Sequence, residues 1–100
     1  MECELRRNRI MTGHIDECVE AWLSGVVPLR RRFGFTIAGA WIVEAPGELV
    51  WVLVYEGEDG FDAADRRYYE SAERSALEPD PAQWFESSQS ERVRPILDPV

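Results

Sequence analysis

Two apolar runs, Phe35 to Val43 and Leu49 to Tyr55, lie on either side of Glu44-Ala45-Pro46-Gly47-Glu48. Both are rich in β-branched and aromatic residues. Pro46 supplies a fixed φ and Gly47 a positive one, so the stretch predicts a β-hairpin closed by a type II-like turn. A hairpin with one wet face alternates apolar and polar residues, whereas these runs stay apolar at nearly every position. That predicts strands covered on both faces. Helices can cover one face. A chain of 100 residues has little left for the other, so the pattern predicts self-association through it.

The remaining elements follow from period and punctuation. Glu2 to Ile10 alternates imperfectly and predicts a strand, with Cys3, Leu5, Arg7 and Arg9 on one face and Glu4, Arg6 and Asn8 on the other. Arg7 and Arg9 would then flank a partly covered, polar pocket. After the turn Thr12-Gly13-His14, a helix starts at His14 or Ile15. Ile15, Cys18, Val19, Trp22, Leu23 and Val26 form one apolar stripe, and Asp16 and Glu17 suit the positive end of the helix dipole. Gly25 and Pro28 should kink or interrupt this helix. Leu29 continues the stripe, Arg30 to Arg32 form a charged last turn that reads as solvated and suited to the helix dipole, with an anion site as the alternative, and Gly34 caps it. Glu56 to Gly60 is a loop, in which Asp59 caps a second helix over Phe61 to Tyr69. Ser71 caps a short piece over Ala72 to Leu77, and Asp80-Pro81-Ala82-Gln83 opens another short helix anchored by Trp84 and Phe85. Ser90 to Leu97 is the expected last strand. The order predicts an α+β, ferredoxin-like βαββαβ fold with a four-stranded antiparallel sheet and helices on one face.

In this order the chain resembles the NIPSNAP family. The matching pieces are Glu4-Leu5-Arg6, Gly13-His14-Ile15-Asp16-Glu17, Val27-Pro28, Gly39-Ala40-Trp41, Trp51 to Tyr55, Tyr68-Tyr69, Ser71-Ala72-Glu73-Arg74 and Arg94-Pro95. The resemblance implies one domain over residues 1–100 and a dimeric α/β barrel, in which two such sheets pack face to face. A two-fold homodimer is the simplest closed form. Barrels of this kind include cofactor-free monooxygenases of polyketide aromatics, muconolactone isomerase-like proteins and haem-handling enzymes. The family pattern carries no defined catalytic motif.

Charge and composition narrow the partners. The net charge is −8, which disfavours nucleic acid and anionic membrane surfaces. All eleven basic residues are Arg, scattered along the chain. Cys3 and Cys18 form no CxxC pair, and a single His does not complete a usual zinc set, so no metal or other cofactor is expected. The cysteines read as apolar core residues of a reducing compartment. The charged N-terminus argues against a signal peptide, and no apolar run reaches the length of a membrane span. The expected location is cytoplasmic.

Candidate chemistry rests on His14, Tyr55 and Tyr68 as proton-moving groups and on Trp41, Trp51, Tyr69 and Arg7 as ligand contacts. His14 is the chain's single histidine, the residue type most often used as a general base. Aromatic side chains with a polar edge suit a pocket for a flat, weakly polar molecule. Adjacent residues on a helix diverge, so at most one of Tyr68 and Tyr69 should turn inward. No serine sits in a nucleophile elbow, and no Gly-rich phosphate loop is present. Two functional classes stand. One is a homodimer that binds a small hydrophobic or aromatic metabolite, as a carrier or as a cofactor-free catalyst of oxygenation, isomerisation or cyclisation. The other is a non-catalytic structural or interaction module with a filled core.

Overall fold

The computed structural model describes residues 1–99; Val100, the last residue of the expected domain, lies outside them. Strands β1 (Glu2–Ile10), β2 (Thr36–Val43), β3 (Glu48–Tyr55) and β4 (Phe85–Val93) form one sheet in the order β2-β3-β1-β4. Every pairing is antiparallel. The helical layer comprises α1 (Ile15–Ala21), a π-helical turn (Trp22–Val26), α2 (Val27–Arg32), α3 (Phe61–Glu70), α4 (Ala72–Ser75) and a 3-10 turn (Pro81–Trp84). This is the ferredoxin-like arrangement expected from the element order. No helix among the described residues is long and apolar enough to cross a membrane.

Register decides which residues meet the helices. Arg6 pairs with Trp51, Asn8 with Leu49 and Glu4 with Leu53, so these six share the helix-covered face. Leu53 is fully buried there, packed in one core with Cys18, Trp22, Phe35, Phe61 and Ala64. Burying a leucine completely contributes roughly 1.5–3 kcal/mol. The opposite face carries Leu5, Arg7, Val50, Val52 and Trp41, and Trp41 is 59% exposed. The doubly apolar hairpin thus has one face covered by helices and one face open.

The long helix is interrupted where Gly25 and Pro28 predict it. Pro28 has no N–H to offer the carbonyl four residues back. Val27 N–H reaches instead to Trp22 carbonyl, five residues back, which defines the π turn. Gly25 leaves room for Leu77, whose Cδ2 would lie 3.3 Å from an added Cβ. Gly34 ends α2 with φ +91°, as expected of a glycine cap.

Four local expectations are corrected. The Ala45–Pro46 peptide is cis, and the hairpin loop closes through Gly47 N–H to Val43 carbonyl at 3.0 Å rather than as a type II turn. Asp59 does not cap α3. Gly60 takes that position, and Glu2 of β1 accepts from Phe61 N–H at 2.8 Å, an anchor from across the sheet that local sequence does not show. Phe85 opens β4 opposite Ile10 instead of closing the short helix, and the strand ends at Val93, before Pro95. Arg30 is not a solvated residue of the last turn but is wholly buried.

Candidate functional site

A cavity of about 380 Å³ lies between the helix-covered face of the sheet and the helical layer. The sheet contributes Arg6 and Asn8 from β1, Trp51 from β3 and Phe85, Ser88 and Ser90 from β4. The helical side contributes Trp22 and Val26 from the π turn, Arg30 from α2, Tyr68 and Tyr69 from α3 and Arg74 from α4. Trp22, Val26 and Arg30 stand four residues apart, an interval that the wider π turn keeps on one face. The Trp22 and Trp51 rings meet edge to face at 5.3 Å, so the wall is a rigid aromatic corner.

A chain of hydrogen bonds fixes the sheet side. Trp51 Nε1 donates to Asn8 Oδ1 at 2.8 Å, and Asn8 Nδ2 donates to Ser88 Oγ at 2.8 Å. Arg6 uses all three guanidinium nitrogens: Nε on Glu4 at 2.8 Å, Nη1 on the Tyr69 hydroxyl at 2.9 Å and Nη2 on Asp65 at 3.0 Å. Asp65 also accepts from Arg30 Nη1 at 2.7 Å and so joins the two buried arginines. Arg74 gives both terminal nitrogens to Asp80. The Arg30 guanidinium carbon lies over the Tyr68 ring, 3.7 Å from its centre.

Against this network stand four buried polar atoms without a partner among the described residues. They are Trp22 Nε1, Arg30 Nε, Arg30 Nη2 and the Tyr68 hydroxyl oxygen. All four belong to side chains that line the cavity. A buried donor without an acceptor costs roughly 1–3 kcal/mol, and native interiors keep few of them. Their side chains line one cavity, which makes it the candidate site.

Burial pushes the Tyr68 hydroxyl above the usual tyrosine range, against a smaller opposing effect of the Arg30 charge. It therefore stays protonated at neutral pH and can donate. For Arg6 burial alone would weaken the charged form, but Tyr69, Asp65 and Glu4 overcome it and the pKa is raised. Arg6 is therefore a fixed cation. Among the described residues no group of three or more His, Cys, Asp or Glu is placed to hold a metal ion.

The structure brings together some of the residues that the sequence nominates and separates others. Trp51, Tyr68 and Tyr69 line the cavity. Tyr68 alone is buried, in line with the expectation that at most one turns inward, although both touch the cavity. Tyr68 is buried and Tyr69 half exposed, with their rings edge to face at 5.1 Å. Trp41 and Arg7 lie on the open face, where Arg7 sits 3.3 Å from Glu48. The polar pocket is thus on the Arg6 and Asn8 face of β1, not on the Arg7 and Arg9 face. Tyr55 shares the face of Trp51 but donates to Asp59 at 2.7 Å, in a surface cluster with Arg67 that is separate from the cavity lining. His14 is half exposed, 3.2 Å from Glu17 and stacked on Trp84, also outside the lining. Sequence reasoning missed Arg6, Asn8, Trp22 and Arg30. Arg30 had a visible signal, since it follows Val26 by four residues on the apolar stripe.

No family model matches the sequence, and no curated protein matches it. Solved structures do. A NIPSNAP domain protein from Burkholderia xenovorans superposes with a TM-score of 0.82 at 18% identity, covering 98% of this chain and 97% of that one. A NIPSNAP family protein from Agrobacterium tumefaciens gives a TM-score of 0.81 at 17% identity, over 94% of this chain and 91% of the other. A structure described as an antibiotic biosynthesis monooxygenase gives 0.71 at 13% identity, over 97% and 100% of the two chains. The sheet order, the helical layer and the near-complete overlap together establish that this chain has the fold of NIPSNAP family proteins, a fold similar to that of the monooxygenase.

Proposed function

We propose that this chain is a single NIPSNAP-like domain that binds a small, flat, hydrophobic or aromatic molecule between its sheet and its helices. The observation that carries this reading is the cavity of about 380 Å³, walled by Trp22, Trp51, Tyr68 and Phe85 and lined by side chains with unpartnered donors. That volume lies in the range of small-molecule sites. Its aromatic wall offers area to a ring, and its donors offer an anchor to a ligand oxygen. If the bound molecule reacts, the lining favours chemistry in which negative charge develops on that oxygen. Tyr68, held protonated, can stabilise or protonate an enolate. Cofactor-free oxygenation, isomerisation and cyclisation can each run through one, and the monooxygenase neighbour fits this class.

The open sheet face supports a homodimer. Leu5, Val50, Val52 and Trp41 would be covered by the same face of a second copy, closing the barrel. The unpaired, buried Cys3 and Cys18 suit a reducing, cytoplasmic setting. Native mass spectrometry of protein purified from its own host tests both parts. The expected result is a dimer that retains an extra non-protein mass. A monomer would overturn the barrel. A protein that retains nothing, and whose tryptophan fluorescence does not respond to flat aromatic compounds, would overturn the binding reading in favour of a structural module.

A further inference from the structure

Three arginines line the cavity, and their guanidinium groups are not equivalent. Arg6 has every nitrogen engaged, and Arg74 gives both terminal nitrogens to Asp80. Arg30 uses Nη1 alone, on Asp65. Its Nε and Nη2 are buried and unpartnered among the described residues. Those two atoms belong to one edge of the guanidinium, where their N–H bonds run parallel. That edge is the fork that matches the two oxygens of a carboxylate. Arg30 is 0% exposed, so a ligand group reaches the fork only when a neighbouring lining side chain turns aside. The Tyr68 hydroxyl and Trp22 Nε1 add two further donors on neighbouring lining side chains, and no lining residue is an Asp or Glu.

From this we infer that the ligand is a flat aromatic carboxylate, its acid group read by the Arg30 fork and its ring held by the Trp22–Trp51 corner. The inference rests on the binding reading above and adds a chemical class to it. Three features set the class. The unpartnered atoms are all able to donate, so the group they meet is an acceptor. Two of them form a fork, so the acceptor is planar and has two oxygens. They belong to a buried cation whose one carboxylate, Asp65, is shared with Arg6, so the acceptor is anionic. The net charge of −8 opposes an anion only over distances that salt screens, roughly 8 Å at physiological ionic strength.

The test compares 2-naphthoate with 2-naphthamide on the wild-type chain, read by isothermal titration calorimetry. The two probes share ring, shape and planarity and differ in charge. Naphthoate should bind about tenfold tighter or more, the scale of one charge-assisted pair. The preference should vanish in Arg30→Met, which keeps length without the fork, and shrink in Arg30→Lys, which keeps charge without it. Circular dichroism shows whether these variants fold. If they do not, the paired probes on the wild-type chain still decide. Equal affinity for the two probes, or tighter binding of the amide, overturns the carboxylate assignment and leaves the cavity reading standing. A preference that survives in folded Arg30→Met overturns the role of Arg30. Binding of neither probe counts against the cavity reading and this inference together.

Discussion

Replacing Tyr68 with Phe should stabilise the free protein. Tyr68 is 1% exposed, and its hydroxyl oxygen has no partner among the described residues. Its ring makes contacts that Phe retains: edge to face with Phe33 at 5.6 Å and with Tyr69 at 5.1 Å, and under the Arg30 guanidinium at 3.7 Å. The substitution therefore removes an unmet desolvation cost of roughly 1–3 kcal/mol and breaks no hydrogen bond. The small void left by the oxygen offsets part of that, so the net gain should be about 1 kcal/mol. In a chain of this size that raises Tm by roughly 4–8 °C. Urea unfolding should show a higher midpoint at an unchanged slope, which separates a change in stability from a change in the compactness of either state. The pH dependence supplies a second readout. Burial raises the folded pKa of Tyr68, so its protonated form contributes stability that is complete below the unfolded value, about 10, and is lost as pH rises through the folded value. The wild-type curve should accordingly fall below that of Tyr68→Phe more steeply above pH ~10. A variant less stable than wild type by ~1 kcal/mol or more would show that the hydroxyl has a native partner, and the reasoning from unpartnered donors would fail with it.

Three other perturbations probe separate parts of the molecule. Asp65→Ala removes the carboxylate shared by Arg6 and Arg30 and should destabilise by about 3 kcal/mol in urea unfolding, the low end for a broken buried pair because Asp65 is partly exposed. Burial pushes the Cys18 thiol from 9.0 up to about 11, so the native state holds that proton while the unfolded chain releases it. Wild type should lose about 2 kcal/mol relative to Cys18→Ala between those two pH values, measured by chemical denaturation at each pH. An unchanged difference across the window would refute the raised pKa. Arg7→Ala, on the open sheet face beside Glu48, should change stability by no more than about 0.5 kcal/mol and leave the fluorescence response to aromatic probes as in wild type.

The fold was legible because its signals are periodic and local. The hairpin, the stripe from Ile15 to Val26, the break at Pro28 and the glycine cap at Gly34 each follow from residues within one turn or one strand. The alternation in β1 also divided its side chains correctly between the two faces. What it could not say was which face the helices cover, because Cys3, Leu5, Arg7 and Arg9 are hardly more apolar than Glu4, Arg6 and Asn8. Only the pairing of Arg6 with Trp51 and of Asn8 with Leu49 settles that. The site was less legible for the same reason. Its defining contacts, Asp65 to Arg6 and Arg30 and Trp51 to Asn8, join residues far apart in sequence. Charge itself misled: a run of three arginines at a helix end reads as solvated, yet its first member is buried and the other two are exposed. His14 drew notice only as the chain's single histidine, and the structure leaves it on the surface side of Trp84.

The π turn between α1 and α2 sets the rotational phase of α2 relative to α1. In an uninterrupted α-helix each residue advances about 100° around the axis, so the residue seven after Trp22 returns to its face. That residue is Leu29. The extra residue taken up by the turn moves the return to the eighth, which is Arg30. The choice between an isobutyl group and a guanidinium in the cavity wall is therefore made by the turn over Trp22–Val26, where Gly25 and Pro28 interrupt the helix. Leu29 and Arg30 are both buried, and one step of rotation about the helix axis separates them. The chemistry of the site and the irregularity of the helix are in this sense a single property of the chain.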